Sequence, residues 1–496
     1  MNTNEEGASL TVNNTKSTGE RGEESGNGDI RQMVDNWFDA HTDDMISDLG
    51  RMLAINSVRG PAEDGAPFGA GPRSALALAR AMLEGFGFEV SDFEDIIITA
   101  DLGPSPPLMG ILAHLDIVEA GEGWDSDPFE MSIRDGRIYG RGATDNKGPS
   151  IASMYAMYCA RELCSELQNG CRLILGSGEE VACLDIAQYL EKNEPPPNVF
   201  TPDADFPVVN IEKGRIAPIF GASWEKSAAL PRVVSIDGGK TANVVPNHAE
   251  AVIEGFSAAD AGKYCSEFSA KTGAKISARE SGGDAVLIAA EGTSSHAAAP
   301  GAGLNAQTAL VEMLANMPFA ESEGFGYIRA LNRLFPHGDY LGSAMGMKMS
   351  DKLSGDLTLS FNVLSYTETG FSANFDSRTP ACADDVDLPG LMREAFEREK
   401  VPLDSYTISG CHHTPESSPF VQSLLRIYED YTGKAGKCLA VGGQTYVHEI
   451  PGGVAFGCES EGVSNAIHSV NEYIGIEQLL TSAKMFAMAI ISNLGA

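Results

Sequence analysis

Leu108-Met-Gly-Ile-Leu-Ala-His114-Leu-Asp116 is an apolar run that ends in an imidazole and a carboxylate. Its length and apolar character suit a strand buried on both faces, as in a sheet covered by helices. In open α/β sheets ligands bind just beyond the C-terminal ends of such strands. His114 and Asp116 fall there, and as residues i and i+2 of an extended chain they point to the same side.

The pattern around this strand repeats the arrangement. Upstream, Met33, Trp37, Phe38, Met45, Ile46, Leu49 and Met52 recur at helical spacing, and a second helix is expected over 73–86. Residues 1–29 are polar and rich in Gly, Ser, Asn and Glu, and read as a disordered tail. Downstream, Asp135-Gly136 marks a hairpin turn, and Gly140-Arg-Gly-Ala-Thr-Asp145-Asn-Lys-Gly-Pro149 leads into a helix at about 150–167. Strand Cys171–Leu175 runs to Gly176-Ser-Gly-Glu179-Glu180, and strand Asn198–Thr201 runs to Asp203. From about 212 to 407 the texture changes to short alternating strands. After 408 come a helix at 418–432, Gly442-Gly443, a strand at 454–457, His468 and a closing helix at 475–494. Strands alternating with helices indicate an α/β fold. The expectation is a mixed, mostly parallel-sheet catalytic domain in two segments, 30–211 and 408–496, with an α+β lid domain inserted at 212–407.

Composition narrows the partners. With 35 Lys and Arg against 69 Asp and Glu, the net charge of −34 argues against nucleic acid or an anionic membrane. The nine cysteines are odd in number and form no C-x-x-C pair, so free thiols are expected rather than a disulfide framework. No stretch approaches the length of a membrane span, and the N-terminus lacks the apolar core of a signal peptide. The cytoplasm is the expected compartment.

The residues at the strand ends suit metal-assisted hydrolysis, which needs a fixed cation and a base beside the attacking water. Glu179 and Glu180 are consecutive, so their side chains diverge: one can ligate while the other faces substrate. A ligating histidine usually donates its second N–H to a carboxylate, a role open to Asp116. Asp145 sits in a glycine-dense turn where backbone can approach an ion closely. Taken singly, each has an ordinary explanation: Asp145 as a helix cap, Glu179-Glu180 as a helix N-terminal charge pair, His468 as a surface histidine, Asp203 or Asp205 as turn residues. Their conjunction at successive strand ends argues for a site. Histidine and carboxylate donors without cysteine suit Zn²⁺, Mn²⁺ or Co²⁺.

Three runs, 112–116, 140–149 and 176–180, together resemble the aminoacylase/carboxypeptidase superfamily of co-catalytic metallopeptidases. Thr201-Pro-Asp203-Ala-Asp205, Glu212-Lys-Gly214, Ala242-Asn243-Val-Val-Pro246, Ser295-His296, Gly442-Gly443 and Ala466-Ile-His468-Ser-Val-Asn-Glu472-Tyr473 are similar to its PepV-type bacterial dipeptidases. The likeness covers nearly everything from about 30 onward. It implies two divalent metal ions, zinc first with manganese or cobalt as alternatives. Asp145 would bridge them, His114 and Asp203 would complete one site, and Glu180 and His468 the other. Glu179 would be the general base and Asp116 the partner of His114. From the lid, His296 and Asn243 would face the developing oxyanion, and Arg378 would hold the substrate's C-terminal carboxylate, with Gly443 also lining the substrate site. Gln444 departs from the pattern by standing where a third glycine is usual.

The expected activity is hydrolysis of small peptides with a free C-terminal carboxylate. An N-acyl amino acid deacylase or desuccinylase would use the same chemistry, and an inactive homologue would serve only as a binding module. An insert of roughly two hundred residues exceeds the modal domain size. It suits a PepV-like lid that supplies its own histidine, and therefore a monomer.

Overall fold

The run at 108–113 forms the strand Pro107–His114, whose last six residues are all buried. The computed structural model describes residues 20–460 and 462–495. The chain divides into two compact bodies, one made of Met1–Glu180 with Gly462–Ala496, the other of Val181–Glu461.

In the first body, strands Val90–Phe93, Ile97–Leu102, Gly170–Gly176 and Pro107–His114 lie side by side in that order. Pro107–His114 pairs parallel with Gly170–Gly176, setting His114 opposite Gly176. The next pairing, of Gly170–Gly176 with Ile97–Leu102, is antiparallel. Helices Glu20–Leu53, Lys147–Leu163 and Ile476–Leu494 pack on one another, and Lys147–Leu163 also packs on the two central strands. That helix is buried on every face along its first turns, as expected of one enclosed by sheet and helices. A separate three-stranded sheet joins the hairpin Ser132–Arg134/Arg137–Tyr139 to Tyr473–Gly475. It draws the end of the chain onto the segment that follows Tyr139.

The disordered tail expected over 1–29 lies outside the described residues as far as position 19; the backbone is helical from Glu20.

Beside two-stranded ribbons at Ser350–Asp351/Gly355–Asp356 and Ala204–Asp205/Cys458–Glu459, the second body holds two larger sheets among the described residues. In one, Asn198–Thr201, Val454–Ala455, Val208–Glu212 and His412–His413 are neighbours in that order. Its pairings are mixed in sense: Val454–Ala455 runs parallel to Asn198–Thr201 and antiparallel to Val208–Glu212, which also pairs antiparallel with His412–His413. The sheets that carry the strand-end residues are thus mixed, and antiparallel pairs hold a larger share than βαβ crossovers alone would give. The other sheet has eight strands, beginning with Gly214–Ser223 and ending with Leu403–Ser409, and is antiparallel throughout. Helices Ala258–Thr272, Ala306–Ala315, Glu323–Leu334 and Leu388–Glu399 cover it around a core that includes Phe220, Phe335, Phe361, Phe375 and Phe396. Successive residues of a strand face opposite ways, so Phe375 enters this core while Asp376 and Arg378 face away from it.

Candidate metal centre

The register of the two parallel strands builds the centre of the first body. Because His114 lies opposite Gly176, the loop that leaves Gly176 passes directly beside the His114–Asp116 segment. Asp116 captures it: its Oδ1 accepts the Glu179 N–H at 3.2 Å and its Oδ2 the Glu180 N–H at 3.0 Å. Both atoms of one buried carboxylate are spent on the backbone of the two consecutive glutamates.

His114 is fully buried. Its Nδ1 lies 3.1 Å from the backbone carbonyl of Asp116 and 3.4 Å from Asp116 Oδ1. A carbonyl can only accept, so this contact puts the ring proton on Nδ1 and leaves Nε2 with a lone pair. Nε2 faces Asp145 Oδ1 at 3.0 Å.

Asp145 stands one residue before Asn146, the N-cap of the helix Lys147–Leu163. The turn carrying it is tight because Gly148 lacks a side chain: a Cβ there would lie 2.1 Å from the Ala143 carbonyl oxygen. The second oxygen of Asp145 meets His468, whose Nε2 is 2.9 Å from Oδ2 and 3.1 Å from Glu180 Oε1. His468 adopts a left-handed backbone conformation, φ 56°, as do Ala466 and Asn471 nearby. Such strain in residues other than glycine persists where surrounding contacts enforce it.

Proximity sets the electrostatics of this cluster. Burial opposes ionisation of Asp145, yet its contacts with the His114 and His468 imidazoles outweigh it and hold the carboxyl well below its usual range. Burial, and then the neighbouring Asp145 charge, push Glu180 up. Hydrogen bonds to Asp145 and then Glu180 raise His468 to about 11. Atoms of Asp145, Glu180 and His468 that can bind a metal all lie within 4.8 Å of one another. A divalent cation can take the place of the proton that His468 shares with these two carboxylates, and the mixed nitrogen and oxygen donors fit the borderline divalent metals.

Other sequence candidates lie in the second body. Asp203 occupies the turn between Asn198–Thr201 and Ala204–Asp205. Asn243 and His296 are brought together: Val244 bridges to His296, and the Asn243 carbonyl accepts the Ala297 N–H at 2.8 Å. Arg378 is buried, donating from Nε to Asp376 Oδ1 at 2.7 Å and from Nη1 to the Gly442 carbonyl. A Cβ on Gly442 would lie 2.5 Å from that of Ala298, so the glycine turn packs on the loop that follows His296. The second body therefore gathers the His296 loop, Gly442-Gly443 and Arg378. Gln444 donates to the Lys213 carbonyl and to Ser409, and so anchors this turn.

Sequence reasoning did not single out two buried carboxylates. Glu212 accepts from Thr445 N–H and Oγ1, fixing the far end of the same turn. Glu472 accepts four hydrogen bonds from the segment that carries Asp145. Both fall within motifs that resemble the family, where neither was given a role.

A profile of the family described as "Peptidase family M20/M25/M40" matches residues 110–492. The protein YtjP of Bacillus subtilis (strain 168) is 34% identical over 454 residues, covering 90% of this chain and 96% of its own. The Beta-Ala-Xaa dipeptidase of Lactobacillus delbrueckii subsp. lactis is 31% identical over 461 residues, covering 91% and 96%. Among solved structures, human carnosine dipeptidase 1 superposes with a TM-score of 0.55 at 17% identity over 94% of this chain and 99% of its own. At that identity the likeness is one of fold.

Proposed function

Because the chain belongs to the peptidase family M20/M25/M40, we propose that it is a metal-dependent dipeptidase that releases an amino acid from small peptides with a free C-terminal carboxylate. The observation that carries this reading is the double engagement of Asp145, one oxygen on each of two imidazoles. A carboxylate so placed can serve two cations at once. The proposed ligands are His114, Asp145, Glu180, Asp203 and His468, with zinc first and manganese or cobalt as alternatives.

When bound, such cations supply Lewis acidity toward the scissile carbonyl and lower the proton affinity of water. The protein residues do the rest. Glu179, held through its backbone by Asp116, takes the proton of the attacking water and passes it to the leaving amine. His296 and Asn243 donate toward the developing oxyanion, where removing one donor typically costs about 10²–10³ in kcat. Arg378 pairs with the carboxylate of the substrate, since a guanidinium fork matches that group.

We place the enzyme in the cytoplasm, as a monomer. Among the described residues the cysteines form no disulfide, which suits a reducing compartment. No described helix is long and apolar enough to cross a membrane.

A hydrolysis panel tests the substrate class. Dipeptides, β-alanyl dipeptides among them, are compared with N-acetyl and N-succinyl amino acids on the metal-loaded protein. Preference for dipeptides is expected; preference for the acylated amino acids would move the assignment to a deacylase.

A further inference from the structure

Glu472 lies four residues beyond His468 and is fully buried. Its Oε1 accepts the backbone N–H groups of Thr144 at 2.9 Å and Asp145 at 3.1 Å. Its Oε2 accepts Arg141 Nη1 at 2.7 Å and the Gly142 N–H at 3.1 Å. The backbone adds to the clasp: Gly140 N–H donates to the Glu472 carbonyl, and Thr144 Oγ1 donates to the Tyr473 carbonyl at 2.7 Å. Arg141, itself buried, donates from Nη2 to the carbonyls of Glu119 and Ala120.

This is more than a buried ion pair. The Arg141 charge is met by one oxygen of Glu472, leaving the other wholly committed to the N–H of Asp145 and its neighbour. A carboxylate with both oxygens saturated by donors from a single turn fixes the conformation of that turn. The turn here ends in the carboxylate that His468 also faces, at 2.9 Å.

We propose that Glu472 is a positioning residue that locks the Asp145 turn to the chain segment bearing His468, and so fixes the arrangement in which one carboxylate serves two cations. The inference rests on the metal centre proposed above. It differs from a purely structural role in one respect: loss of Glu472 disturbs metal binding beyond what lost stability explains. In Glu472→Gln the side chain keeps its shape, but its NH₂ must face two N–H donors, so either the Arg141–Gly142 pair or the Thr144–Asp145 pair loses its acceptor.

The test is a zinc titration of chelator-stripped protein against a competing chromophoric chelator, with the visible spectrum of the cobalt-loaded protein as second readout. Wild type should take two equivalents. Glu472→Gln should hold at least one of them about 10–100-fold more weakly, the usual effect of losing an outer partner of a ligand. It should also show an altered cobalt spectrum and a fall in kcat larger than any change in KM. Ile490→Ala, a core truncation in the closing helix, should lower the melting temperature without weakening zinc. Wild-type affinity and spectrum in Glu472→Gln would overturn the proposal, as would equal weakening in Ile490→Ala. If Glu472→Gln does not fold, Glu472→Asp decides: its carboxylate is withdrawn by one methylene, and unchanged zinc affinity would again overturn it. Failure of wild type itself to bind zinc, manganese or cobalt would instead refute the metal centre and this inference with it.

Discussion

Asp145 Oδ2 stands 2.9 Å from His468 Nε2, while its Oδ1 stands 3.0 Å from His114 Nε2. One side chain thus joins the end of a central strand to a strained loop more than three hundred residues later. Asp145→Asn should weaken metal binding by more than the roughly 10–100-fold typical of an outer partner, because an amide offers only one good acceptor. Equilibrium dialysis with elemental analysis checks this; metal content equal to wild type at limiting zinc would speak against a bridging role.

The adjacent glutamates should separate. Glu179→Gln removes the base and leaves every proposed ligand, so kcat should drop by about 10²–10⁴ at near-normal metal content. Glu180→Gln removes a ligand and should lower metal occupancy. Equal metal loss in both, or a fully active Glu179→Gln, would show the pair is wrongly divided.

Asp116 holds the backbone of both glutamates, so Asp116→Ala should act on metal and rate together. Each hydrogen bond to a charged group is worth about 1.5–3 kcal/mol, and the two lost here should appear in urea unfolding. Zinc affinity should fall about 10–100-fold. A variant that loses stability but keeps zinc affinity and kcat would mean that the loop holds its form without Asp116.

Arg378 lies against Asp376 and the Gly442 carbonyl, an arrangement that a lysine cannot reproduce. Arg378→Lys should raise KM for peptides with a free C-terminus and shrink the preference for them over C-terminal amides. Unchanged discrimination between acid and amide would remove Arg378 from substrate recognition.

The sequence reveals the strands of the first body well, because Pro107–His114 and Gly170–Gly176 are buried runs whose composition leaves few alternatives. It reveals Asp145 and His114 as candidates by the same logic of strand ends. Less legible are Ile97–Leu102, which the sequence reading passes over, and its pairing sense, antiparallel to Gly170–Gly176. The task of Asp116 is also hidden. Spacing directs its carboxylate toward the His114 ring, 3.4 Å from Oδ1, but does not tell that both oxygens also take Glu179 and Glu180 N–H, a task set by register across strands. The task of Glu472 is hidden for a related reason, since its partners lie over three hundred residues upstream and all but the Arg141 side chain are backbone N–H groups.

The central claim is that hydrolysis depends on cations held around Asp145. The most direct measurement is a titration of chelator-stripped protein with zinc, manganese or cobalt while dipeptide hydrolysis is followed. The account expects no turnover in the stripped protein and restoration that is complete at two equivalents per chain. Full turnover by protein shown by elemental analysis to be free of metal would contradict it.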